Sequence, residues 1–242
     1  MIVLFTDFGI AGPYIGQVKA VLHREAPNVP VIDLCADAPT CDPKASAYLL
    51  AALVDWFPAG ATFVAVVDPG VGGPRAPLAL EADGRNFVGP DNGLFELVMR
   101  RASRFQVQEI AWRPPALSHS FHGRDLFAPI AARIAARTLW PGMLRPVEPT
   151  RMPEWPDDLA EIIYIDHYGN AMTGIRADRL PATARLVVAG KVLPHARTFV
   201  DVEAGRAFWY ENSNGLVEIA VNRGRADTTL GLAVGTPVSV QT

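Results

Sequence analysis

Apolar and polar positions along the first part of the chain alternate between two periods. Ile2–Thr6 is a continuous apolar run that ends in the turn TDFG, as a strand buried on both faces would. Tyr14–Glu25 then places Ile15, Val18, Val21 and Leu22 at helical spacing, with Pro13 suited to its first turn. Val29–Cys35 reads as a strand, and Pro43–Phe57 as a helix with Ala47, Leu50, Ala51 and Val54 on one face. Thr62–Val67 is β-branched and apolar, and Leu78–Ala82 with Asn86–Val88 predicts a hairpin around Asp83-Gly84. A helix over Gly93–Arg101, a strand over Gln106–Ala111 and a helix over Asp125–Arg137 complete the series. The pattern predicts an α/β domain with a mostly parallel sheet covered by helices on both faces. Ligands of such sheets bind at the carboxyl ends of strands, where TDFG and VVDPGVGG both stand.

The helical period then stops. Pro141, Pro146, Pro149, Pro153 and Pro156 predict a semi-rigid linker over residues 141–158, after an N-terminal domain of residues 1–140. Beyond it come short β-like runs: Glu161–Ile165, Ala171–Ile175, Arg185–Ala189, Arg206–Glu211, Leu216–Ala220 and Pro237–Gln241. With the turns YGN, AGK, SNG and NRG among them, residues 159–242 read as a smaller all-β domain.

Composition narrows the function classes. Of the 242 residues, 50% are apolar and 19% charged, which suits a folded globular chain. A net charge of −3 without a lysine/arginine run argues against nucleic acid as partner. No apolar run reaches the length of a membrane span. MIVLFTDFG lacks a basic start and a cleavage site, so it reads as a core strand and not a signal peptide. Cys35 and Cys41 alone make neither a disulfide framework nor a four-ligand zinc site, and are expected to be reduced thiols of a cytoplasmic protein.

The stretch VVDPGVGGPR, Val66 to Arg75, has the glycines of a phosphate cradle but neither the lysine and hydroxyl of a P-loop nor the GxGxxG spacing. What remains is a carboxylate, Asp68, at a strand end and a guanidinium, Arg75, seven positions later. Two readings fit: a turn closed by a surface ion pair of little energetic worth, or a pair facing a ligand. His119 and His122 lie in SHSFHGRD without the glutamate of HExxH, so a metal site is not expected. His122 precedes a predicted helix that Asp125 is placed to cap, on the same sheet edge as Asp68. Asp7, Asp91-Asn92, Asp166, Asn170 and Ser213-Asn214 are polar residues in small-residue turns, each explicable by turn chemistry alone.

Taken in order, TDFG, VVDPGVGG-R, VGPDNGL, FHGRD, DHYGN and NSNGLVEIAVNRG span almost the whole chain. In these motifs the sequence resembles the S-adenosyl-L-methionine hydroxide adenosyltransferases (SAM hydrolases), relatives of the fluorinating and chlorinating enzymes. The resemblance implies cleavage of S-adenosylmethionine by water to adenosine and methionine, with no metal and no cofactor besides the substrate. It also implies a homotrimer whose ligand lies between the N-terminal domain of one subunit and the C-terminal domain of its neighbour. By motif the family's catalytic Asp, Arg and His fall on Asp68, Arg75 and His122, a trio the halogenating relatives lack. Asp7 matches the residue on the ribose hydroxyls, Asp166 the one facing the methionine ammonium, and Asn170 an adenine-edge contact. Phe199 fits as a stacking ring, and Ser213 with Asn214 aligns with groups near the methionine carboxylate. Gly12 stands where relatives commonly carry an acidic residue, which leaves more of the ammonium contact to Asp166.

The implied chemistry suits these residues. A sulfonium leaves as a neutral thioether, so no general acid is needed. The difficulty lies with water, whose pKa of ~15.7 is far above any side chain here. Arg75 is expected to stabilise developing hydroxide while Asp68 and His122 orient the water and accept its proton. Alternatives are a halide-using relative, a binding protein for S-adenosylmethionine or adenosine without turnover, and a metal-dependent phosphoesterase.

Overall fold

A computed structural model of the chain describes residues 1–241. It forms two compact units that divide between Met152 and Pro153. The first unit runs β1 (Ile2–Thr6), α1 (Tyr14–Glu25), β2 (Val31–Cys35), α2 (Pro43–Leu53), β3 (Thr62–Val66), β4 (Pro77–Ala82), β5 (Arg85–Pro90), α3 (Glu96–Arg101), β6 (Phe105–Ile110), α4 (Ala128–Ala136) and β7 (Leu144–Pro146). Its seven strands form one sheet in the order β2-β1-β3-β5-β4-β6-β7. Pairing is parallel from β2 through β1 and β3 to β5, and antiparallel from there through β4 and β6 to β7.

The continuous apolar strands are buried on both sides, as their pattern requires. Ile2, Leu4, Val64, Val66 and Val88 pack against Val18 and Leu22 of α1 and Ile130 and Ala131 of α4. On the opposite pleat Phe63 and Phe87 stack with ring centroids 4.8 Å apart, flanked by Phe57 and Phe95. Helix α2 starts where Asp42 accepts the Ala45 N–H at 2.9 Å, with Pro43 at its first position. Its last turn, Val54–Trp56, tightens to a 3-10 helix ahead of Pro58. Asp83 and Gly84 both take positive φ (46° and 79°), the backbone of a two-residue hairpin turn between β4 and β5.

Two details depart from the pattern-based expectation. Leu144–Pro146, inside the Pro-rich stretch expected as linker, pairs with β6 as the edge strand of the first sheet. The stretch beyond is anchored too, since Asp91 accepts from the Thr150 N–H at 3.0 Å and Glu96 from Arg151 and the Met152 N–H. Second, Gly123–Phe127 is a single π-helical turn ahead of α4, and Asp125 does not cap it. Its carboxylate accepts the Ser118 N–H at 3.0 Å and pairs with Arg124.

The second unit runs β8 (Leu159–Ile165), β9 (Ala171–Arg176), β10 (Arg185–Val188), β11 (Lys191–Leu193), β12 (Ala207–Glu211), β13 (Leu216–Val221), the one-turn helix α5 (Ala226–Leu230) and β14 (Val238–Gln241). It has a four-stranded sheet, β12-β13-β9-β8, and a three-stranded sheet, β11-β10-β14, all antiparallel. Ile162, Leu186, Trp209, Val217 and Ile219 share its core, and the buried Trp209 indole donates to the Ala184 carbonyl at 3.0 Å.

Candidate active-site residues in the two units

In the first unit the parallel register pairs Thr6 with Val66, so Asp7 and Asp68 follow the carboxyl ends of adjacent strands at one edge of the sheet. Arg75 folds back onto Asp68. Its Nε donates to Oδ1 at 3.0 Å and its Nη2 pairs closely with Oδ2. The side chains are only 5% (Asp68) and 10% (Arg75) exposed, which rules out the surface-pair reading. The same Nη2 lies 3.0 Å from Nδ1 of His122, and the Phe127 ring packs under the guanidinium at 5.3 Å.

The glycines make this approach possible. Gly72 has φ +77°, and a Cβ there would stand 2.5 Å from the His119 carbonyl oxygen. The VVDPGVGGPR loop thus lies directly on the SHSFHGRD loop, which brings His122 to Arg75. A Cβ on Gly123 would in turn meet the Phe8 ring at 2.8 Å. Phe8 and Phe121 pack edge to face at 5.6 Å, so TDFG closes the third side. From behind, Asn92 Nδ2 donates to the Val67 carbonyl at 2.8 Å, which accounts for the asparagine of GPDNG.

The protonation states follow from this packing. A guanidinium has donors only, so Nδ1 of His122 must accept from it and the ring hydrogen sits on Nε2. Burial, then the Arg75 charge, push the His122 pKa below its usual value. Asp7 accepts the Cys41 N–H at 2.9 Å, yet burial and the nearby Asp68 charge raise its pKa.

The second unit holds a cavity of about 770 Å³. Asp166, Asn170, Phe199 and Ser213 all line it, whereas Asn214 does not and serves the turn instead. Asp166 Oδ1 accepts the Asn170 N–H at 2.8 Å, and the turn needs Gly169 at φ +81°. Phe199 stands edge-on to Phe208 and Tyr210, at 5.2 and 5.4 Å. Tyr168, Tyr210, Glu218, Arg223 and Arg225 also line the cavity, and the motif reading passed over them. Glu218 carried a signal all the same: it is the one charged residue in LVEIAV, a strand buried throughout.

Comparison with known proteins matches both units of the chain to a family. The model of the SAM hydroxide adenosyltransferase N-terminal domain matches residues 2–141, and that of the C-terminal domain matches residues 160–239. A Thermus thermophilus protein named (R)-S-adenosyl-L-methionine hydrolase is 41% identical over 254 aligned residues, covering 96% of each chain. A Nocardia brasiliensis protein named fluorinase is more distant, 24% identical with 100% of this chain and 96% of its own covered. The crystal structure of an uncharacterized conserved protein from Thermotoga maritima superposes with a TM-score of 0.89 at 28% identity, covering both chains completely.

Proposed function

Because this chain belongs to the SAM hydroxide adenosyltransferase family, we propose that it is an enzyme hydrolysing S-adenosyl-L-methionine to adenosine and L-methionine. The relatives' name specifies the (R) form, and that form is taken as its substrate. The observation that carries this reading is the buried Arg75 guanidinium held between Asp68 and His122 at the carboxyl edge of the sheet.

A water at this trio attacks the ribose 5′-carbon in line with the C–S bond. The new bond is O–C5′, and the C–S electron pair leaves on the neutral sulfur of methionine. Arg75 supports the negative charge that develops on the water oxygen. The water's proton goes to Asp68, which as an ionised carboxylate keeps lone pairs beyond the two that hold Arg75. His122 cannot serve as that acceptor, because Nδ1 is engaged by Arg75 and Nε2 already carries hydrogen. It acts as a neutral donor that positions water. Alignment of water, carbon and sulfur supplies much of the acceleration, ~7–11 kcal/mol in well-oriented systems.

On this reading Asp7 holds the ribose hydroxyls, Asn170 the adenine edge and Phe199 its face. Asp166 faces the methionine ammonium, and Ser213, on the turn that Asn214 helps close, the carboxylate end. Gly12 has φ +109°, a conformation unfavourable to an acidic side chain, so Asp166 takes the larger share of the ammonium. The enzyme works without metal or added cofactor, in the cytoplasm, as a homotrimer whose sites each draw on two neighbouring subunits.

Product analysis tests the reaction: with chloride or fluoride present, and with a chelator, adenosine and methionine remain the only products. A halogenated nucleoside would place the chain with the halide users, and binding without turnover would make it a sensor. The role of His122 has its own test. His122→Ala lowers kcat at least about tenfold, whereas His122→Gln, which keeps an acceptor and a donor, recovers a substantial part. Equal loss in both variants would return His122 to the role of proton acceptor.

A further inference from the structure

The cavity of the second unit contains a buried carboxylate to which the proposed reaction assigns no task. Glu218 sits at the centre of β13 and is only 2% exposed. Tyr210 of β12 and Met172 of β9 lie directly opposite it in register. The Tyr210 hydroxyl donates to Oε1, and Asn212 Nδ2 donates to Oε2 at 2.8 Å. The Asn170 side chain, two positions before the register partner Met172, also favours the charged form of this carboxylate. Burying a carboxylate is costly, and an apolar residue would suit this strand better unless the charge performs a task.

Its partners identify the task. Asn212 turns its carbonyl oxygen the other way, accepting the N–H groups of Asn214 at 2.9 Å and Leu216 at 3.0 Å. That closes the turn that presents Ser213. Asn170 closes the opposite turn, donating from its backbone to Asp166 Oδ1 and from Nδ2 to Oδ2 at 3.3 Å. One carboxylate therefore joins the two turns that carry Asp166, Asn170 and Ser213.

We propose that Glu218 is a positioning residue, an acceptor-only hub that fixes the spacing between the DHYGN and NSNG turns across the cavity. The proposal rests on the reading that S-adenosylmethionine occupies this cavity. A glutamine could not replace the acid, because its amide keeps one acceptor oxygen and would set N–H groups against either the Tyr210 hydroxyl or the Asn212 amide.

Steady-state kinetics with S-adenosylmethionine on Glu218→Gln, Asn212→Asp and the double variant tests it. Asn212→Asp keeps the oxygen that closes the Ser213 turn but replaces the donor to Glu218 with a carboxylate oxygen that repels it, so it breaks the same contact from the other side if Glu218→Gln fails to fold. Each single variant is expected to raise KM at least about tenfold while kcat falls less than about threefold. In the double variant donor and acceptor are exchanged, and KM falls below that of either single variant. A role confined to stability would lower the unfolding temperature and leave KM unchanged, which would overturn the proposal. Asp166→Ala is measured alongside. If it raises KM while the others do not, Glu218 is wrongly placed; if it too leaves KM unchanged, the cavity reading fails and the proposal falls with it.

Discussion

Arg75→Ala lowers kcat about a hundredfold or more, the usual cost of removing one donor aimed at developing negative charge. KM changes far less, because the contact strengthens only as the water becomes hydroxide. The variant also leaves Asp68, 5% exposed, without its counter-charge, so kinetics are referred to the folded fraction by circular dichroism. Arg75→Lys separates charge from geometry. An ammonium restores the positive charge but cannot engage both oxygens of Asp68 and Nδ1 of His122 together, so kcat falls between alanine and wild type. Full activity with lysine would reduce Arg75 to a simple counter-ion. If the proposed homotrimer shares its sites between subunits, mixing Arg75→Ala and Asp166→Ala subunits is expected to give more activity than either parent, since some sites then combine two intact halves. No recovery on mixing would argue against sites shared between subunits.

The second large effect is on stability and concerns Glu96, whose carboxylate is 1% exposed at the start of α3. Burial alone would raise its pKa, but hydrogen bonds from Arg151, Arg100 and the Met152 N–H overcome this and bring it from the ordinary 4.5 to about 2. A carboxylate lowered in the folded state adds stability in full above its unfolded pKa, and that contribution is lost as pH falls through the folded value. The window is therefore pH 4.5 down to about 2. The gap corresponds to about 3 kcal/mol, reduced to about 2–3 kcal/mol because Arg151 is half-exposed and screened. Glu96→Gln is expected to lower Tm by about 5–10 °C at pH 7. The difference from wild type shrinks as pH falls and vanishes near pH 2. A Tm difference independent of pH would mean that the side chain acts through packing and not through its charge.

The regular elements of the first unit were legible because their signals are local. An unbroken apolar run marked β1, and Asp83-Gly84 marked the β4–β5 hairpin through backbone conformations that few other pairs adopt so readily. The link from Asp68 to Arg75 was suggested by the tight turn between them. Other features depend on long-range partners. Leu144–Pro146 is a strand only because β6 offers it an edge, and nothing in the tripeptide Leu-Arg-Pro announces that. Asp125 looked like a cap, yet the Ser118 N–H and Arg124 claim it first. The tautomer of His122 depends on a guanidinium 47 positions away. In the second unit the turn residues Asp166, Asn170 and Ser213 stood out as motifs. The carboxylate joining them did not, because it sits inside an apolar strand and reaches its partners from neighbouring strands and turns.

On the proposed mechanism, water attacks the ribose 5′-carbon at the Asp68–Arg75–His122 trio. Turnover of S-adenosylmethionine in ¹⁸O-labelled water tests it most directly, with both products analysed by mass spectrometry. One labelled oxygen is expected in the 5′-hydroxyl of adenosine and none in methionine. Label in the amino-acid product, or release of methylthioadenosine in place of adenosine, would contradict it.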